Sequence, residues 1–134
     1  SHPDKEGIIT TGTRDWFNYE VSSILKLELH ELVGLVVRSR GHRRYYAGAV
    51  HNGMASIIKR YDDRLEILNS VKYIFEANQT LEFKVSVKKK HIKLYLGGKK
   101  IIEAFDGEFV SGGAGFIIEE GTVPALGFSV KNIN

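Results

Sequence analysis

A chain of 134 residues is long enough for one domain with its own core, and 43% hydrophobic against 26% charged residues is ordinary globular usage, which excludes disorder and a fibrous chain. The formal net charge of +3, from 19 Lys and Arg against 16 Asp and Glu, is smaller than a nucleic-acid partner calls for. With no cysteine, disulfides, zinc–thiolate sites and thiol catalysis are excluded together, and no apolar run approaches the roughly 20 residues that span a bilayer.

The chain opens Ser1-His2-Pro3 in place of methionine and lacks the apolar core of a signal peptide, so the expectation is an excised, soluble, cytoplasmic domain without a membrane partner. Residues 1–9 read as a tail or cloning remnant and 10–134 as the domain. From Phe17 to Leu29 a long strand places Phe17, Tyr19, Val21, Ser23, Leu25, Leu27 and Leu29 on one face. Glu31-Leu32 turns the chain into a strand over Val33 to Arg38, and Ser39 to Arg43 form a loop before a strand from Arg44 to His51. Asn52-Gly53 is a type I′ hairpin dipeptide leading into Met54 to Tyr61, and Asp62-Asp63 turns again into Arg64 to Leu68. Val71 to Glu76 is the one stretch where a short helix competes, and strand is preferred. Leu81 to Lys88 alternates apolar and polar residues without a break, Ile92 to Leu96 continues the alternation, and Gly97-Gly98 turns it into Lys99 to Phe105. After Ser111-Gly112-Gly113, strands over Ala114 to Glu119 and Gly127 to Ile133 close the chain, with Pro124 in the connection. About ten short strands with frequent turns predict an all-β fold, a two-sheet antiparallel β-sandwich.

Three stretches in order resemble one superfamily: Asp15 to Val21; Gly34 to Arg38 with Arg44 to Ala47; and Ile92 to Lys99 with Ser111 to Gly115. They are similar to concanavalin A-like, laminin-G-like modules appended to glycoside-processing enzymes, which implies a concanavalin A-like jelly roll and carbohydrate binding, in some members with calcium. More narrowly, Thr11 to Trp16, Gly41 to Tyr46 and Ile118 to Gly121 resemble the C-terminal module of some bacterial ADP-ribosylglycohydrolase-like proteins. Glycosidases of the superfamily place paired acids on one central strand. Here no Glu-x-Asp-x-x-Glu strand occurs, and the adjacent Glu119 and Glu120 point to opposite faces of a strand.

The other candidate acids, Asp62, Asp63, Asp106 and Glu108, fall at strand ends and read as turn formers. The five histidines lack metal-ligand spacing, and without an Asp-x-Asp-x-Asp loop calcium would rest on Asp62, Asp63 and backbone carbonyls, so no cofactor is assigned. Trp16 before the first long strand serves either as an end plug or as a ligand platform, the plug being preferred. The densest chemistry lies in positions 38–46, with Arg38, Arg40, Arg43 and Arg44 beside Tyr45 and Tyr46. Strand alternation puts Tyr46 in the core and Tyr45 outside with Ala47, Ala49 and His51, where the small alanines leave a shallow groove. Aromatic faces stack on sugar rings and Arg binds carboxylate or phosphate in bidentate fashion, so Arg38, Arg43, Tyr45, His51 and Lys59 form the candidate ligand site. The competing reading of the same residues is a solvated basic face.

The function expected is a non-catalytic accessory module for carbohydrate or an ADP-ribose-like sugar nucleotide, with a parent glycohydrolase domain as partner. The alternative is a structural or protein-interaction domain packing on its parent enzyme or on a second copy as a homodimer. A free-standing glycosidase ranks last.

Overall fold

Alternation of apolar and polar residues gives a strand one face to bury, and with several such strands in one short chain two sheets must close on each other. A computed structural model describes residues 6–11, 16–27, 32–76, 78–119 and 128–133. The strands are β1 (Glu6–Thr11), β2 (Tyr19–Lys26), β3 (Val33–Ser39), β4 (Arg44–His51), β5 (Met54–Tyr61), β6 (Arg64–Lys72), β7 (Thr80–Lys88), β8 (His91–Leu96), β9 (Lys99–Phe105), β10 (Gly113–Glu119) and β11 (Phe128–Asn132). They build a six-stranded sheet in the order β1-β10-β3-β4-β5-β6 and a five-stranded sheet in the order β11-β2-β7-β8-β9, with every pairing antiparallel. The two-sheet antiparallel sandwich read from the sequence is therefore the observed fold.

Several boundaries differ from the sequence reading. β1 begins at Glu6, ahead of the domain start expected at residue 10, because Gly7-Ile8-Ile9 continues into a ladder against β10, with Ile8 opposite Ile117. β6 runs on to Lys72, which absorbs the first residues of the expected strand over Val71 to Glu76, and residues 73–76 form no regular element. Leu29, Pro124, Glu120 and the Gly12 to Asp15 part of the narrower resemblance lie outside the described residues.

The turns carry the chemistry expected of them. Asn52 and Gly53 have φ of 51° and 79°, and Gly97 and Gly98 have 62° and 83°, the left-handed region that a two-residue hairpin turn requires. Between the sheets lies one core, built from Tyr19, Val21, Leu25, Val85, Phe83 and Leu94 on one side and Leu35, Val37, Tyr46, Val50 and Ile57 on the other. A smaller apolar cluster of Val36, Tyr45, Ala47, Ala49, Ile58 and Ile117 covers the outer face of the six-stranded sheet.

Two irregularities in the larger sheet redirect side chains that regular strands would place elsewhere. Between Gly113 and Gly115 the β10–β3 register slips, so that Ala114 faces two residues of β3, one of them Arg38 with φ of 51°. On β6 the register slips at Leu68: Ile57 faces Asn69 while Ile58 faces Ile67. The extra residue reverses the alternation of β6, so Leu65 and Ile67 share the outer face with Ile58.

β3 and β4 approach so closely at Gly34 that a Cβ there would sit 2.2 Å from the Gly48 carbonyl oxygen and 2.6 Å from Ala49. The obstacle is backbone and cannot rotate away. Gly34→Ala should cost about 3 kcal/mol of stability, measured by urea unfolding.

Candidate functional site

The outer face of β4, β5 and β6 carries a groove of about 510 Å³. Alternation supplies Ala49 and Ile58 as its floor, and both are buried. The slip at Leu68 supplies one wall, Leu65 and Ile67, which are 52% and 63% exposed, and Met54 and Leu32 also line the groove. Polar groups come from His51, Asn52, Ser56 and Ser70. Tyr45, Ala47, Ala49 and His51 do share this face, and Ala49 and His51 line the groove. Met54, Ser56, Leu65 and Ile67 have no part in the site read from the sequence. Ser56 and Met54 follow from the alternation of β5, but Leu65 and Ile67 depend on a bulge that leaves no residue signature.

The other expected ligands are placed elsewhere. Tyr45, expected outside as a stacking platform, is 2% exposed within the cluster of Val36, Ala47, Ala49 and Ile58, so its ring offers no free face. Arg38 would share the outer face with Val36 in a regular strand. Its positive φ turns it into the end of the sandwich, where it is 1% exposed. There the guanidinium donates to the carbonyls of Phe17 at 2.7 Å, Lys89 at 2.5 Å and Phe109 at 3.1 Å, while its own backbone amide donates to the Tyr19 hydroxyl at 2.6 Å. Burial lowers the Arg38 pKa, partly offset by Tyr19 and Tyr46, and burial pushes the Tyr19 phenol up to about 12 against the pull of Arg38.

Lys59 lies directly across from Tyr46 on the inner face, whereas the neighbour of Tyr45 is Arg60. Lys59 is 8% exposed, with Nζ 3.1 Å from Asp106 and 2.5 Å from Glu108. These two acids, expected as solvated turn formers, converge on it. Burial opposes the Lys59 charge, but the hydrogen bonds to Glu108 and Asp106 outweigh it and raise its pKa. Asp106 also accepts from the Tyr46 hydroxyl and the Glu108 amide. Burial favours its neutral form, yet those bonds and Lys59 hold the carboxyl below its ordinary value. Arg43 points to solvent and pairs with Asp63. Trp16 packs edge-on against Tyr19 with ring centroids 5.5 Å apart, as an end plug does. Among the described residues no three His, Asp or Glu side chains converge into a metal-binding group.

Arg38→Ala should lower stability by about 3 kcal/mol or more, because several carbonyls at the end of the sandwich lose their donor, and the loss is read from the shift in urea midpoint. Asp106 sets an acid dependence. Its pKa is depressed in the folded state, so its stabilisation is complete above the ordinary carboxylate value of about 3.9 and is lost as pH falls through the folded value. Asp106→Asn should start less stable at neutral pH and lose less melting temperature across that acid window than the parent chain, measured by thermal unfolding as a function of pH.

No family model and no curated protein matches the chain. Solved structures do. The carbohydrate-binding module CBM66 from Bacillus subtilis superposes with a TM-score of 0.77 at 17% identity, covering 98% of this chain and 81% of that one. Sheep galectin-11 superposes with a TM-score of 0.65 at 12% identity over 97% of this chain and 99% of its own. A toad ovary galectin, solved in complex with thio-digalactose, does so with a TM-score of 0.63 at 8% identity over 95% and 98%. At these identities the likeness is one of fold: the chain shares the jelly-roll β-sandwich of these proteins.

Proposed function

We propose that the chain is a non-catalytic carbohydrate-binding module that takes a neutral sugar in the groove over β4, β5 and β6. The observation that carries this reading is the groove's composition: an apolar floor and wall from Ala49, Ile58, Leu65 and Ile67, with an imidazole, an amide and two hydroxyls from His51, Asn52, Ser56 and Ser70 around it. A pyranose or furanose ring presents C–H faces that an apolar surface covers and hydroxyls that such groups bind. A mostly apolar concavity with a few polar groups is the usual form of a small-ligand site. The fold neighbours support the reading, one being a carbohydrate-binding module and another holding a thio-digalactose.

The finer expectation of an ADP-ribose-like ligand is less well served. The described lining of this groove contains no Lys or Arg to meet a pyrophosphate, since Arg38 and Lys59 are turned inward and Arg43 is paired with Asp63. Attachment to a glycohydrolase-type catalytic partner remains part of the proposal. The second reading, an interaction domain, draws on edge strand β6, which leaves Leu65, Ile67 and Val71 exposed beside Ile74.

Thermal shift against neutral mono- and oligosaccharides and ADP-ribose tests the proposal, because a ligand bound by the folded state alone raises the melting temperature. A saturable shift with a neutral sugar is expected, lost in His51→Ala and Ile67→Glu variants that keep the parent melting temperature. No shift with any sugar at millimolar concentration, together with a concentration-dependent dimer that Ile67→Glu abolishes, would overturn it in favour of the interaction domain.

A further inference from the structure

The outer face of the five-stranded sheet carries a second groove, of about 490 Å³, on the side of the sandwich opposite the first. Its lining contains Lys88, Lys89, Lys90 and Lys93 and no carboxylate among the described residues. None of these four ammonium groups makes an ion pair with a described residue, although Glu103 stands across the ladder from Lys93, because Glu103 is held by His91 at 2.5 Å and Lys100 at 3.2 Å. At the far edge Phe105 is 68% exposed, and its ring lies stacked on His91 with centroids 4.3 Å apart. The stack leaves the other face of Phe105 open.

The backbone that carries the lysines is held in place by the fold. The β7–β8 turn, where Lys89 has φ of 54°, is fixed from below: the Lys89 amide donates to the Asn18 side chain, and its carbonyl accepts from Arg38. The Lys90 carbonyl accepts from the Asp106 amide, and the Lys90 stem lies across Gly107, where a Cβ would come within 3.0 Å of it. A rigid turn bearing three consecutive cations beside one exposed ring is a pre-organised arrangement, which lowers the entropy lost on binding.

We propose that this groove binds an acidic glycan, one whose sugar units carry a carboxylate or a sulfate, with a sugar ring stacked on Phe105 and the anionic group between Lys88, Lys89 and Lys93. An extended phosphate backbone fits less well. On the same face Glu20 lies across from Lys131 and Glu103 across from Lys93, so acids interrupt the cations beside the groove and no unbroken positive stripe forms there. The site is independent of the groove over β4 to β6, and each fails or stands without the other.

Polygalacturonate, carrying carboxylates alone, and dextran sulfate, carrying sulfates alone, are the probes, with neutral dextran as reference, followed by affinity electrophoresis and calorimetry at low and high salt. At least one acidic polymer should bind, and the two arms tell carboxylate from sulfate recognition. Lys88→Ala with Lys93→Ala, and Phe105→Ala alone, should each weaken binding by about tenfold, and added salt should weaken it further. Phe105→Leu keeps an apolar contact with His91 while removing the ring face and should bind no better than Phe105→Ala. His51→Ala should bind as the parent does. The proposal is overturned if neither acidic polymer binds in preference to dextran, if the folded Phe105→Leu variant binds as tightly as the parent, or if a single-stranded oligonucleotide or phosphatidylserine vesicles bind as tightly as the polysaccharides.

Discussion

The sandwich is closed at one end by a single buried guanidinium. Arg38 lies on a strand of the larger sheet, and its nitrogens reach the carbonyl of Phe17 ahead of β2, that of Lys89 in the β7–β8 turn, and that of Phe109 in the connection to β10. The Tyr19 hydroxyl completes the knot by accepting from the Arg38 amide and donating to the carbonyl of Gly112. Burying a cation is unfavourable unless its protons are all engaged, and here carbonyl oxygens engage them with no acid among the described residues paired to it. The arrangement ties three loops to one side chain. It also connects one proposed binding face to the core, since the turn bearing Lys88 to Lys90 is braced by a residue that a regular β3 would have sent to the opposite outer face.

How far the sequence reveals this depends on which signal each feature leaves. Period-two alternation and the Asn52-Gly53 and Gly97-Gly98 turns leave strong local signals, and the hairpins they imply are present, the first in register throughout and the second until its ladder slips between Tyr95 and Leu94. The pairing of faces on β4 is equally legible, with Tyr46 inward and Tyr45 outward. Exposure is another matter. Tyr45 has the outward orientation that its position dictates and is buried nonetheless, because alternation says which way a side chain points and nothing about what else packs on that face.

The misplaced cations have a common origin. Reading Arg38, Arg43, Tyr45, His51 and Lys59 as one site assumes that residues near in sequence or in adjacent strands project into one space. Arg38 is removed from it by a single backbone angle and Lys59 by the parity of the β4–β5 pairing, while Arg43 stays in the loop with Asp63. The lysine run at 88–90, by contrast, reads in the sequence only as a polar turn. Its meaning depends on Phe105, which joins it through the pairing of His91 with Phe105 across β8 and β9. Neither residue signals the other in the chain.

The extra residue at Leu68 decides more than the course of one edge strand. On either side of it β6 offers two alternative sets of side chains, Leu65 and Ile67 outward with Arg64 and Glu66 across from Tyr61 and Lys59. A ladder that ran regularly through Leu68, placing it opposite Ile58 and Glu66 opposite Arg60, would exchange the sets, turning Glu66 outward and Leu65 and Ile67 inward. Because β6 has a ladder neighbour on one side only and lies mostly exposed, such an exchange would leave the packed interior nearly untouched. One displaced residue in the ladder, with no change of residue type, thus determines whether this scaffold presents an apolar or a charged wall on its outer face.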